Sequence, residues 1–154
     1  VRFYILAILV ILFDQASKIW IRFHFAVGEQ MEVWPGILYL IRYENAGIAF
    51  SMLQGYGRLF VPIAVLVVAF ILYYRSQLKT KGIIVDLGTA LLVGGAIGNA
   101  IDRVLYNQVT DFIHFNWNHG ILNLADYAIN LGIILFLIDN FFLRRNRTKQ
   151  HEGD

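Results

Sequence analysis

The sequence predicts an all-α polytopic membrane protein: four transmembrane helices carrying a small extracytoplasmic β-rich platform, in one membrane-embedded domain over residues 1–154. Three observations predict it. Apolar residues make up 58% of the 154 positions, and the mean hydropathy is +0.58. Charged residues make up only 16%, against about 25% in soluble domains. Four segments approach the roughly 20 apolar residues that a helix needs to cross a bilayer. The same composition excludes a disordered chain. The absence of Cys excludes a disulfide framework, a thiol nucleophile and a thiolate metal site. A net charge of +2 is too small to suggest nucleic acid as a partner.

The first span covers about residues 3–23 and is interrupted by Asp14 and Lys18. It resembles the apolar part of a signal peptide. However, its pure apolar run stops at Phe13 and no small-x-small cleavage site follows, so it reads as an uncleaved span. The segment at about 24–57 reads as an inserted β-rich platform. In Ile37-Leu38-Tyr39-Leu40-Ile41-Arg42-Tyr43, β-branched and aromatic residues dominate. Pro35-Gly36 before it, and Gly47, Gly55 and Gly57 after it, are turn signals. The second span, about 58–74, has Pro62 in its first turn, where a missing N–H costs little. The third covers about 83–101 and the fourth about 121–143, with a second outer segment at 104–120 between them. The tail at about 144–154 is polar and reads as loose.

Orientation follows from Lys and Arg in the connections. Arg2, the loop with Arg75, Lys79 and Lys81, and the tail with Arg144, Arg145, Arg147 and Lys149 hold eight of the 13 basic residues. These regions share one side, which places both termini in the cytoplasm. Trp20, Trp34 and Trp117 fall on the opposite side, as an interfacial belt does.

Ionisable residues inside spans are costly and mark candidate sites. Asp14 lies roughly 16 Å from the inner end of the first span, near the midplane, with Lys18 one turn further out on the same face. The simpler reading is a buried pair that fixes helix packing. Asp86 and Asp139, near the basic inner ends, are explained by interfacial pairing. Gly94 and Gly98 form a small-xxx-small pair that admits a neighbouring helix. Asn99, Asp102 and Arg103 share a face at the outer end of the third span. They read either as a local Asp–Arg pair or as the polar wall of a site. Asp111 follows just outside that span, where a loop acid or helix cap is the plain alternative. Asp126 is placed roughly 8 Å below the outer boundary of the fourth span, flanked one turn either way by Asn123 and Asn130. A carboxylate held by the helix N-terminal dipole is its plain alternative. Taken together, these acids and amides crowd the outer ends of two adjacent helices, an arrangement able to hold two carboxylates that share a proton.

These residues resemble the bacterial lipoprotein signal peptidases, the signal peptidase II family, over nearly the whole chain. The matching segments are Asp14-Gln15-Ala16-Ser17-Lys18, Asn45-Ala46-Gly47-Ile48-Ala49-Phe50, the run from Gly94 through Gly98 and Asn99 to Arg103, Val109-Thr110-Asp111-Phe112, and Asn123-Leu124-Ala125-Asp126. Two departures are mild. Thr110 stands where the family commonly has a second Val, and the 15-residue separation of Asp111 and Asp126 implies a shortened outer loop.

The resemblance implies an intramembrane aspartic endopeptidase of the bacterial cytoplasmic membrane, with its active site near the outer face. Its substrate would be a prolipoprotein carrying diacylglyceryl-Cys, drawn from the lipid bilayer. The chain is expected to act as a monomer without cofactor, metal or nucleic acid. The family's catalytic pair falls on Asp111 and Asp126, and its supporting positions on Asp14, Asn45, Asn99, Asp102, Arg103 and Asn123; Lys18 and Gly47, within the matching segments, are placed with them as support. Two nearby carboxylates suit this chemistry, because one keeps a proton while the other stays ionised. Asp14, near the midplane and well below the proposed site, is expected to support structure or substrate positioning without performing chemistry.

Other classes fit less well. A serine intramembrane protease needs a Ser and a His at one depth, and Ser17, Ser51 and Ser76 are scattered without a Gly-x-Ser-x-Gly. A zinc site from Asp111, His114 and His119 has no standard helical spacing. A small proton-coupled transporter would use buried Asp14, Asp102 and Asp126, but there is no inverted repeat. A membrane scaffold would tolerate Asn at positions 111 and 126.

Overall fold

The computed structural model describes residues 1–47, 55–78 and 82–140. Ile48, Ala49 and Phe50 of the second motif, Lys79 and Lys81 of the basic loop, the far end of the fourth span and the polar tail lie outside the described residues.

Helix α1 is Arg2–His24, and Phe25 ends it in an extended conformation. Strands β1 (Gln30–Trp34) and β2 (Leu38–Asn45) form a hairpin. Its turn uses Gly36 at φ +70, a backbone shape that residues with a Cβ resist, and Ile37 N–H closes it on Trp34 C=O at 2.9 Å. A 3₁₀ turn, Gly57–Leu59, leads into α2 (Phe60–Ser76). Helix α3 is Ile83–Tyr106, strand β3 Val109–Phe115, strand β4 Ile121–Leu122, and helix α4 Leu124–Ile138.

Residues 38–43 are extended, as the alternation predicts, and Ile37 belongs to the turn before them. The sheet is larger than expected, because the segment at 104–120 supplies β3 and the start of the expected fourth span supplies β4. The sheet is antiparallel in the order β1-β2-β3-β4. Within it Tyr43 pairs with Asp111 and Asn45 with Val109. Asp111 is therefore a strand residue, neither a loop acid nor a cap. A second correction concerns the fourth span: Ile121 and Leu122 belong to β4, and α4 starts only at Leu124. The apolar run across that boundary reads as one helix, but the N-cap at Asn123 divides it.

Three helices are long and apolar enough to cross a membrane, and α4 is a shorter apolar helix with 15 described residues. Helix α3 is central and packs against α1, α2 and α4. Ile5, Ile8 and Leu12 of α1, Ile63, Leu66 and Phe70 of α2, and Ile134 of α4 are exposed, while Asp14, Lys18, Thr89, Asn99 and Asp102 are buried. That distribution inverts the soluble pattern and suits a chain solvated by lipid. At the end away from the sheet, Asp86 pairs with Arg75 at 2.8 Å and with Arg2 at 3.8 Å, in line with the pairing expected of it.

The glycines of α3 set how closely its neighbours approach. A Cβ on Gly94 would lie 2.7 Å from Val10 Cβ of α1, and one on Gly95 would lie 2.6 Å from Ala125 O of α4. The Ala125 carbonyl is backbone in the first turn of α4 and cannot swing aside. Gly95→Ala is therefore expected to lower stability by about 1–3 kcal/mol, the usual cost of overpacking. A thermal unfolding curve in detergent that overlays the parent would contradict this.

Candidate active site

Asp111 and Asp126 arrive from different elements, and Asn123 joins them. Asp111, in β3, is 3% exposed. Its Oδ2 accepts from Asn45 Nδ2 at 3.0 Å, and its Oδ1 accepts from Asn123 Nδ2 at 2.6 Å. Asp126 is the third residue of α4. Asn123 is the N-cap, and the two make a capping box: Asp126 N–H donates to Asn123 Oδ1 at 3.0 Å, and Asn123 N–H donates to Asp126 Oδ2 at 3.2 Å. Asp126 Oδ1 also accepts from Asn99 Nδ2 at 2.8 Å. Asp126 thus lies in the first turn of α4 rather than five residues into the helix, which corrects its expected place along it. The plain reading of an acid at a helix N-terminus is right about the cap. It does not account for Asn99, which reaches Asp126 from another helix. Gly47, buried beside Asn45, donates its N–H to Asn45 Oδ1 at 3.1 Å and so sets which end of that amide faces Asp111.

Burial, and then the charge of Asp126, push the Asp111 carboxyl up to about 7, against the opposing hydrogen bonds from Asn45 and Asn123. An ordinary Asp titrates near 3.9. The folded chain therefore binds this proton more tightly than the unfolded one. The corresponding stability is present below about pH 4 and is lost as pH rises toward 7. If the reaction needs that proton, kcat/KM should fall as pH rises through about 7. A profile flat from pH 6 to pH 9, about one unit below and two above that value, would count against a required proton on Asp111.

A second group of charges lies directly behind. Lys18 is fully buried, and its Nζ reaches Asp14 Oδ2 at 2.8 Å, Asn99 Oδ1 at 2.9 Å and Asp102 Oδ2 at 3.3 Å. The expected Asp14–Lys18 pair is present, one helical turn apart. Asp14, however, is not well below the site. Its Oδ1 accepts the Ala125 N–H at 2.9 Å, next to Asp126 in the chain. The helices do not all start at one level: the first turn of α4 lies beside the middle of α1. Asp102 pairs with Lys18 and with Arg22, the latter at 2.9 Å, rather than with its neighbour Arg103. Arg103 Nη1 donates to Asn99 O at 3.4 Å, and its Nε is buried without a hydrogen-bond partner in the protein. Its charge acts on Asp126, Asp111 and Asp102.

Four members of this network were missed from sequence. Gln15 Nε2 reaches Asp14 Oδ2 and Asp102 Oδ1, both at 3.2 Å. Arg22 Nε donates to Thr110 Oγ1 at 2.8 Å, and the Thr110 hydroxyl donates to Glu44 Oε2 at 2.9 Å. Thr110 N–H donates to Asp102 Oδ2 at 3.2 Å, so the residue that departs from the family pattern is built into the network. The i, i+4, i+8 stripe of Asp14, Lys18 and Arg22 was the signal available for Arg22. No local pattern marks Glu44 or Thr110. Among the described residues no group of three His, Asp or Glu could hold a metal ion. His114, three strand positions from Asp111, lies near Tyr39 with 6.2 Å between ring centroids.

The family described as signal peptidase (SPase) II matches residues 6–142. The chain belongs to the signal peptidase II family. It is 39% identical over 145 residues to the lipoprotein signal peptidase of Geobacillus thermodenitrificans, covering 92% of this chain and 91% of that one. It is 34% identical over 154 residues to the lipoprotein signal peptidase of Anoxybacillus flavithermus, covering 98% and 92%. A solved bacterial membrane enzyme shares 31% of its sequence and superposes with a TM-score of 0.83 over 90% of this chain and 89% of that one. The chain is thus a peptidase with membrane-spanning helices, and its polar network lies where α1, α3, α4 and the sheet meet.

Proposed function

We propose that this protein is an intramembrane aspartic endopeptidase that removes the signal peptide from prolipoproteins bearing diacylglyceryl-Cys, with Asp111 and Asp126 as its catalytic pair. The observation that carries the reading is the linkage of these two carboxylates through Asn123, with one of them buried and driven toward its neutral form. Asp111 holds the shared proton. Asp126, at the N-terminus of α4 and facing N–H groups of Asn99 and Asn123, is the ionised partner.

Asp126 takes a proton from water as the water oxygen attacks the scissile carbonyl carbon. Asp111 gives its proton to the carbonyl oxygen, leaving a neutral tetrahedral diol. The diol collapses as the C–N bond breaks, with the Asp126 proton passing to the leaving nitrogen and a diol proton returning to Asp111. No covalent intermediate, metal or cofactor enters these steps. Asn45, Asn99 and Asn123 hold the acids in place, and the Arg103 Nε, without a partner in the protein, is a donor for the substrate backbone.

In the membrane the chain is read as one domain of four spans, α4 being the fourth, with both termini cytoplasmic. The sheet and the two acids then lie toward the outer face of the bacterial cytoplasmic membrane. A monomer contains every residue the steps require.

The test is cleavage of a purified diacylglyceryl-modified prolipoprotein in detergent by the wild type and by Asp111→Asn. The wild type should release the signal peptide and Asp111→Asn should not, at equal folded amount. Turnover by both, or flux in proteoliposomes without cleavage by the wild type, would overturn the proposal.

A further inference from the structure

Three amides face the two acids, and each is oriented by what its oxygen accepts. An amide has one accepting end and one donating end, so a donor fixed on the oxygen forces the N–H groups to the other side. The Asn45 oxygen takes the Gly47 N–H, and the Asn123 oxygen takes the Asp126 N–H. Both are backbone donors in the same turn as the amide. The Asn99 oxygen is different: its donor is the side chain of Lys18, from another helix, at 2.9 Å. An ammonium only donates, so Asn99 cannot turn its nitrogen toward Lys18 without losing that bond. Turning would also set an oxygen against the Asp126 carboxylate, two acceptors with no proton between them.

We infer that Lys18 is a positioning residue for the reaction: by holding the Asn99 oxygen it keeps the Asn99 N–H on Asp126 and holds that carboxylate in the orientation that takes a proton from water. The inference rests on the assignment of Asp111 and Asp126 proposed above. Lys18 is suited to the task because Asp14 on α1 and Asp102 on α3 clamp its ammonium from two sides within a fully buried site.

A double-mutant cycle separates positioning from packing. Lys18→Met is made in an Asp14→Asn background, so that removing the cation does not strand Asp14 as an unpaired charge, and the substituted amide keeps an oxygen for the Ala125 N–H. The cycle compares Asp14→Asn with Asp14→Asn/Lys18→Met, and the same pair again with Asn99→Ala added. Rates are taken per folded molecule. With Asn99 present, Lys18→Met should lower kcat at least about tenfold with KM within about twofold. With Asn99→Ala, the same change should lower kcat less than about twofold, because the amide through which Lys18 acts is gone. An equal loss in both backgrounds, or a loss confined to KM, would overturn the inference. Failure of the Asp14→Asn/Lys18→Met protein to fold counts against it as well, since Lys18 would then hold the helices rather than the amide. Full cleavage by both Asp111→Asn and Asp126→Asn would instead remove the assignment on which the inference rests.

Discussion

Asp126→Asn should leave a folded, membrane-inserted protein whose kcat is lower by about 10²–10⁴-fold, the range that a positioned general acid or base contributes. The two effects separate because the proposal gives Asp126 a catalytic task beside its structural one. Its structural task is to accept the Asn123 N–H in the capping box, and an Asn oxygen does that equally well. The N-cap itself, Asn123, is untouched and keeps its bond to Asp111. What Asn cannot do is accept a second N–H on its other side-chain atom, so the Asn99 donor loses its partner, or competes for the one oxygen, at a cost of about 1–3 kcal/mol. Nor can it take a proton from water. Steady-state cleavage beside a thermal unfolding curve reads both quantities. Wild-type turnover by the Asn variant would remove Asp126 from the chemistry, and collapse of the fold would make it a cap and nothing more.

Asp14→Ala should produce the largest loss of stability, about 3–5 kcal/mol, since it removes one partner of a fully buried pair. Ala125 N–H at 2.9 Å loses its acceptor, and Lys18 Nζ at 2.8 Å and Gln15 Nε2 at 3.2 Å each lose one of several. Lys18 keeps Asp102, so its charge is not wholly stranded, and the lower end of that range is the more apt. The loss should appear as reduced folded yield and a lower thermal midpoint, at least as clearly as in rate per folded molecule. Because Ala125 precedes Asp126, some loss of rate is expected too. A fully stable Asp14→Ala protein without turnover would move Asp14 into the catalytic group.

Much of the chain was legible as sequence because the bilayer simplifies the reading. A lipid-facing helix must be apolar along its length, so α1, α2 and α3 stand out by hydropathy alone, and any charge inside them is conspicuous. Asp14, Lys18, Asn99 and Asp102 were found that way, and the Gly94/Gly98 pair marked the face that packs on α1. Strand β2 was legible from its β-branched and aromatic residues. Strands β3 and β4 were not. Asp111, His114 and the short Ile121-Leu122 pair carry no alternation strong enough to separate strand from loop, and β4 merges into the apolar run of α4.

By itself the sequence determined which residues are too costly to bury without purpose, and in which order its motifs run, since both follow from local composition and spacing. Only the tertiary structure decided who pairs with whom. Asp102 takes Lys18 and Arg22 rather than the adjacent Arg103, and Asp14 takes the first turn of a helix more than a hundred residues away. The depth of α4 and the partners of Glu44 and Thr110 were decided at the same level. The physical reason is range. Helical spacing and membrane solvation act over a few residues and can be read along the chain, but buried polar groups satisfy themselves across helices, wherever close packing at glycines brings a donor within about 3 Å of an acceptor.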